Sequence, residues 1–198
     1  MRIELRNDSV LIEGYINAVA RDSKPMLNDY GERFVEQIVP KVFQRAIEKT
    51  DEIFCLLDHI ESRVLGSTKQ GNIELFEDNI GLRAICELTD SEVISKANAG
   101  KLRGWSFGFE LLKSREEDAG NDLKRRFIED LNLLEVSIID ENAIPAYIGT
   151  SIETRAEKER RIEYRSVDFK PKIIDLRHKK EIDYSIYEKV IKNLEELK

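Results

Sequence analysis

Three residues of this chain have the types and settings that chemistry needs. Ser106 is framed by glycines in Gly104-Trp105-Ser106-Phe107-Gly108-Phe109, and His59 closes the apolar run Ile53-Phe54-Cys55-Leu56-Leu57-Asp58-His59. Glu135 lies inside a second apolar run, Leu133-Leu134-Glu135-Val136-Ser137-Ile138-Ile139. A hydroxyl nucleophile, an imidazole base and a group that orients the base make up a Ser-His-acid hydrolase. The other histidine, His178, sits in the basic run Arg177-His178-Lys179-Lys180, so an imidazole that activates a serine is expected to be His59.

Each residue also has a plainer reading. Gly104-Trp105-Ser106-Phe107-Gly108 matches the G-x-S-x-G nucleophile elbow of α/β-hydrolases, but an elbow is followed directly by a helix and has its histidine downstream. Here Phe107-Gly108-Phe109-Glu110-Leu111-Leu112 continues as a strand. Strand alternation puts Trp105, Phe107, Phe109 and Leu111 on one face and Gly104, Ser106 and Gly108 on the other. The aromatic face supplies a core. The opposite face presents a hydroxymethyl between two hydrogens, so Gly104 and Gly108 are expected to leave room for a substrate backbone; the alternative is a barrel strand with an idle serine. His59 is expected at a sheet edge or mouth, as base or as a hydrogen-bonded structural residue, with Asp58 directed to the opposite face. Glu135 either faces water or has a partner, because an unpaired buried carboxylate is costly. Cys55, Cys86 and His59 lack the close ligand pairs of a metal site, and Cys55 lies too deep in its run for a nucleophile.

The elements that must position these residues are mostly short strands. Period-two patterning marks Val10–Ala20, Phe34–Val39, Ile53–Asp58, Ile73–Phe76, Leu82–Leu88, Trp105–Leu112, Phe127–Leu131 and Leu133–Ile139. Two helices interrupt them. One is Lys41–Lys49, just after Pro40. The other is announced by the capping box Thr89-Asp90-Ser91-Glu92 and ended by Gly100. Many strands with few helices predict a mainly β (α+β) fold, a closed or nearly closed antiparallel barrel with helices outside.

Composition bounds the function. At 198 residues, 36% charged and 41% hydrophobic, the chain can build one substantial core, and no apolar stretch approaches a membrane helix. The start, Met1-Arg2-Ile3-Glu4-Leu5-Arg6, is charged where a signal peptide is apolar, and two cysteines give no disulfide framework, so a reducing cytoplasm is expected. Residues 151–198 hold 13 Lys/Arg and 11 Asp/Glu, which leaves the first 150 acidic and argues against a nucleic-acid surface. The break near residue 150 divides a 1–150 domain from a charged 151–198 extension. Within that extension Ser151–Arg165 reads as a solvated helix or disordered chain, and Ile182–Leu197 as an apolar-striped helix.

With these residues in view, the chain resembles the prohead (capsid-maturation) serine proteases of tailed phages, relatives of the herpesvirus assembly proteases. The resemblance runs over about residues 10–150, through Gly14-Tyr15, Ile38-Val39-Pro40-Lys41-Val42-Phe43, Leu57-Asp58-His59, Leu65-Gly66-Ser67-Thr68 and Asp78-Asn79-Ile80-Gly81-Leu82. It continues through Gly104–Phe109, Leu134-Glu135-Val136-Ser137 and Pro145-Ala146. The family usually has glycine where this chain has Lys41. The resemblance implies a herpesvirus-protease-like closed antiparallel β-barrel and a serine endopeptidase with Ser106, His59 and Glu135 as its triad, needing no metal or organic cofactor. Its implied substrates are the phage scaffold, the scaffold-like amino-terminal region of the coat protein, and the protease itself, inside the procapsid in the host cytoplasm. Self-association is compatible with this reading. The competing class is a non-enzymatic capsid-assembly or scaffold-binding protein on the same barrel. The 151–198 extension is then a targeting or self-processing segment.

Overall fold

Alternation along the strands decides which side chains form the core, and among the described residues two helices carry the chain between strands that cannot be joined by tight turns. The computed structural model describes residues 1–28, 30–121, 123–141, 153–154, 161–168 and 170–177. Its elements begin β1 (Arg2–Leu5), β2 (Val10–Ala18), β3 (Met26–Leu27), β4 (Arg33–Ile38), α1 (Val42–Lys49), β5 (Phe54–Leu57) and β6 (Val64–Ser67). They continue with β7 (Ile73–Glu77), β8 (Gly81–Leu88), α2 (Ser91–Asn98), β9 (Leu102–Asp118) and β10 (Lys124–Asp140). The last are β11 (Glu153–Thr154), β12 (Arg161–Asp168) and β13 (Lys172–Asp175).

The strands form two sheets. One has the order β13-β1-β2-β8-β7, with β13 parallel to β1 and the rest antiparallel. The other has the order β11-β12-β9-β10-β4-β3, with β5 pairing farther along β10 and β6 beyond β5. The centre of this sheet is the hairpin of β9 and β10, 17 residues each. Length lets β10 serve two partners: β4 pairs with residues 124–128 and β5 with residues 135–138, both in parallel. β4 and β5 do not pair with each other but follow one another along β10, and α1 is the connection between them. The expected fold is therefore corrected: it is mainly β with few helices, but among the described residues neither sheet closes into a barrel and the pairing is not all antiparallel.

The core draws on both sheets and both helices, with Trp105, Phe107 and Phe109 of β9 fully buried and Phe43 of α1 edge-on to Phe107 at 5.3 Å between centroids. Burial of each Phe side chain contributes roughly 1.5–3 kcal/mol. This is the aromatic face expected from alternation. Helix α1 starts at Lys41, whose φ of 72° is left-handed and whose side chain caps nothing. Glu77 supplies the missing acceptor, taking Lys41 N–H at 2.5 Å and Gln44 N–H at 3.0 Å. A left-handed backbone costs a non-glycine residue roughly 1–2 kcal/mol, so Lys41 is strained where glycine would not be. Helix α2 is capped by Asp90, which accepts from Glu92 and Val93 N–H at 3.0 Å each, rather than by Thr89 one residue earlier. Gly100, at φ 67°, ends it as expected.

Beyond residue 150 the chain adds to both sheets. β12 pairs antiparallel with β9, and β13 lies along β1. Where a solvated helix or loose chain was expected over Ser151–Arg165, the described residues 153–154 and 161–165 are strand. Charge misled the reading: Glu163 and Arg165 are buried, but each is paired. The expected helix over Ile182–Leu197 lies outside the described residues. Among the described residues no helix is long and apolar enough to cross a membrane.

Candidate active site

The site forms where β5, β9, β10 and β12 meet, and each residue arrives there by a different local device. Ser106 needs only alternation. It sits mid-strand in β9, opposite Ser137 of β10 on one side and Ser166 of β12 on the other.

Glu135 needs a bulge. Leu131 and Leu133 are buried in the core, and so are Val136 and Ile138, so the parity of inward residues switches between them. The switch is a register shift: Leu133 pairs with Phe109 but Glu135 pairs with Gly108, leaving Leu134 as the extra residue. A bulge re-aims the side chains that follow it. Without it Glu135 would point into the aromatic core; with it, Glu135 and Ser137 share the face of Ser106.

His59 needs a strained turn. β5 ends at Leu57, and the next two residues, Asp58 and His59, both have left-handed φ values, 54° and 61°. Such conformations cost of order 1–3 kcal/mol each and persist when the surroundings fix them. Here Asp58 N–H donates to the Ile138 carbonyl at 3.0 Å, and the Asp58 carboxylate accepts Asp140 N–H at 2.9 Å. His59 N–H donates to Ser137 Oγ at 3.2 Å. Asp58 thus anchors the turn and takes no part in orienting the imidazole.

The result is a continuous line of polar contacts. His59 Nδ1 is 2.8 Å from Glu135 Oε1, and His59 Nε2 is 2.7 Å from Ser106 Oγ. Ser137 Oγ donates to Glu135 Oε2 at 2.5 Å, so both carboxylate oxygens are engaged. A carboxylate at Nδ1 favours the tautomer with its proton there, leaving the Nε2 lone pair for the serine hydroxyl. Tyr164 of β12 packs its ring edge-on to the imidazole, with centroids 4.5 Å apart.

Sequence reasoning named Ser106, His59 and Glu135, and the fold brings all three within hydrogen-bonding distance. Gly108 differs from the expectation. Its bare face is filled, since a Cβ there would lie 2.6 Å from Glu135 Oε1 and 2.8 Å from Tyr164 Cε1. Gly104 is buried between Ile139 and Asp168 in the sheet register. Ser137, Tyr164, Arg165 and Ser166 were missed. Ser137 had a signal, its two-residue spacing from Glu135; the other three lie in a segment whose charges read as solvated.

β12 also contacts the serine directly. Ser106 Oγ donates to the Arg165 carbonyl at 2.8 Å and accepts from Ser166 Oγ at 2.9 Å, and Ser106 is fully buried. On its other face β12 is held by a buried ion cluster. Arg165 reaches both oxygens of Glu36 on β4, at 2.9 and 2.8 Å, and Glu163 at 2.5 Å. Arg126 of β10 reaches Glu163 at 2.6 Å and Glu36 at 3.0 Å. Burial pushes the Glu163 carboxyl up, but hydrogen bonds and charge from Arg126 and Arg165 outweigh it and hold its pKa below the ordinary value. Burial opposes the charge on Arg165 too, and the Glu36 and Glu163 carboxylates more than restore it.

Other groups offer less. Cys55 is fully buried and its thiol is held well up by the hydrogen bond with Cys86 and by burial, which suits an inert core residue rather than a nucleophile. Among the described residues no group of three His, Cys, Asp or Glu side chains is placed to hold a metal.

Comparison with protein families matches residues 1–164 to the caudovirus prohead serine proteases. Neither the curated proteins nor the solved structures yield a match.

Proposed function

The chain belongs to the caudovirus prohead serine protease family, and from that premise we propose that Ser106, His59 and Glu135 are the catalytic triad of an endopeptidase that cleaves phage head proteins during procapsid maturation. The observation that supports this reading is the unbroken line from Glu135 Oε1 through His59 Nδ1 and Nε2 to Ser106 Oγ, at 2.8 and 2.7 Å.

In the proposed mechanism Ser106 Oγ attacks the scissile carbonyl while His59 Nε2 takes its proton. Glu135, ionised, holds the Nδ1 proton and stabilises the imidazolium as it forms. The imidazolium then protonates the leaving amine, and a water activated by the same nitrogen releases the acyl group. Ser137 is a positioning residue, since it ties Glu135 Oε2 and the His59 backbone to one hydroxyl. The substrates proposed are the scaffold, the scaffold-like amino-terminal region of the coat protein, and the protease itself, inside the procapsid.

Co-expression with the coat and scaffold proteins of the cognate phage tests the reading by mass spectrometry of cleavage products. Loss of a triad member costs a serine protease on the order of 10⁴- to 10⁶-fold in rate. Ser106→Ala should abolish processing and leave the fold intact. A folded Ser106→Ala protein that still processes head proteins would remove Ser106 as the nucleophile, and a wild-type chain that yields no cleavage products would place it with non-enzymatic assembly factors.

A further inference from the structure

Ser106 is fully buried, and the chain's own β12 lies against it, with the Arg165 carbonyl and the Ser166 hydroxyl in contact with its Oγ. Resting on the reading of Ser106 as nucleophile, we propose that β12 is a built-in occupant of the substrate cleft. The substrate that replaces it is an extended strand with an acidic residue two positions before a basic one, seated on Arg126 and Glu36.

The backbone geometry is that of a bound peptide. β12 runs antiparallel along the edge of β9 for seven residues, from Ile162 opposite Glu110 to Asp168 opposite Gly104. Adding a strand to a sheet edge is a standard way to hold an extended peptide, and removal of β12 leaves the β9 edge as an unpaired template. Register puts the Arg165 carbonyl at the serine, 2.8 Å from Oγ. The contact is occupancy and not cleavage. The Arg165 oxygen competes with His59 Nε2, at 2.8 and 2.7 Å, for the one hydroxyl hydrogen of Ser106.

Side-chain alternation then fixes the chemistry of what fits. Tyr164 and Ser166 face His59 and Ser106, whereas Glu163 and Arg165 face the opposite side and meet Arg126 and Glu36. With β12 displaced, Arg126 and Glu36 keep each other as partners, so the empty cleft is charge-balanced. An incoming strand restores the four-charge cluster only if it brings one charge of each sign at this spacing. A strand bringing one alone leaves a buried charge without its counterion, which is strongly disfavoured.

The test uses the full-length chain and a fluorophosphonate probe, with the adduct on Ser106 read by mass spectrometry. The probe's P–F bond is exchanged for P–Oγ, fluoride leaves, and His59 takes the hydroxyl proton. The double variant Glu163→Ala/Arg165→Ala loosens β12 while leaving Glu36 and Arg126 paired, and should label at least ten-fold faster than wild type. A synthetic peptide of residues 161–168 should then protect that variant, and peptides with Gln in place of Glu163 or of Arg165 should protect at least ten-fold more weakly.

Equal labelling of wild type and variant overturns the occlusion, with Ser106 still standing as a nucleophile. Equal protection by the Gln peptides overturns the charge selection. A variant with native near-ultraviolet circular dichroism that never labels removes the nucleophile itself, and the proposal with it. Should the alanine pair fail to fold, Glu163→Gln/Arg165→Met removes the same two charges at nearly constant volume and carries the same outcomes.

Discussion

Ser137 gives a quantitative test of how the proposed triad is held. Its hydroxyl donates to Glu135 Oε2 at 2.5 Å and accepts His59 N–H at 3.2 Å, and the residue is fully buried. Ser137→Ala deletes both contacts and leaves a cavity of one oxygen atom. A hydrogen bond to a charged group contributes about 1.5–3 kcal/mol. The weaker contact to the His59 backbone adds roughly 0.5–1.5 kcal/mol and braces a turn with two left-handed residues. The whole loss would appear in stability if the imidazole and carboxylate kept their places. It would appear in rate to the extent that Glu135 turns away from His59. At about 1.4 kcal/mol per factor of ten, we expect the labelling rate of Ser106 by a fluorophosphonate to fall about 10- to 100-fold. A double-mutant cycle separates positioning from packing. In a Glu135→Gln background the acceptor is neutral, its hydrogen bond is worth about half as much, and the Ser137→Ala penalty should shrink to about ten-fold or less. Equal penalties in the two backgrounds would show that Ser137 acts as packing alone and would refute the reasoning.

Three further outcomes are expected. Gly108→Ala places a Cβ 2.6 Å from Glu135 Oε1, so labelling of Ser106 in the β12-loosened double variant should fall on the order of 10- to 1,000-fold, with about 1–3 kcal/mol of destabilisation from overpacking; labelling within two-fold of the parent would mean that Glu135 does not hold His59. Because the Glu163 pKa is depressed in the fold, its ion cluster stabilises fully above the ordinary carboxyl value of 4.5 and loses that contribution as pH falls through the lower folded value. The stability gap between wild type and Glu163→Gln, read by denaturant unfolding, should therefore be constant from pH 7 to about 5 and close in more acid solution; a gap unchanged at low pH contradicts this. A chain ended after residue 150 loses β12 and β13, baring edges of β9 and β1, and should form larger oligomers than the full chain by light scattering; an unchanged mass would show those edges to be harmless.

Much of the site was legible because strand alternation is a strict rule. Trp105, Phe107 and Phe109 inside, with Ser106 opposite, follows from period two alone. The bulge at Leu134 left a trace as well, since Leu131 and Leu133 share one parity and Val136 and Ile138 the other; a polar Glu135 and Ser137 on the switched parity is the mark of a re-aimed strand. The turn at His59 left none. Nothing in Leu57-Asp58-His59 announces two left-handed non-glycine residues, because contacts from Asp140, Ile138 and Ser137, all distant in sequence, hold them there. β12 was hidden for an opposite reason. Glu163 and Arg165 look solvated locally, and their partners Glu36 and Arg126 lie far back in the chain. The parallel pairing of β4 and β5 on β10 was equally remote, since their partners lie far along the chain and no pattern within the strands announces them.

The order of the pieces along the chain sets a clock. His59 and Ser106 are synthesised first, and Glu135 completes the set. β12 follows about thirty residues later, which at roughly 5–20 residues per second is about 2–6 s of translation. On the proposed reading, β12 is the last part of the site to be made, so the cover of the serine is added only after every triad residue is already in the chain.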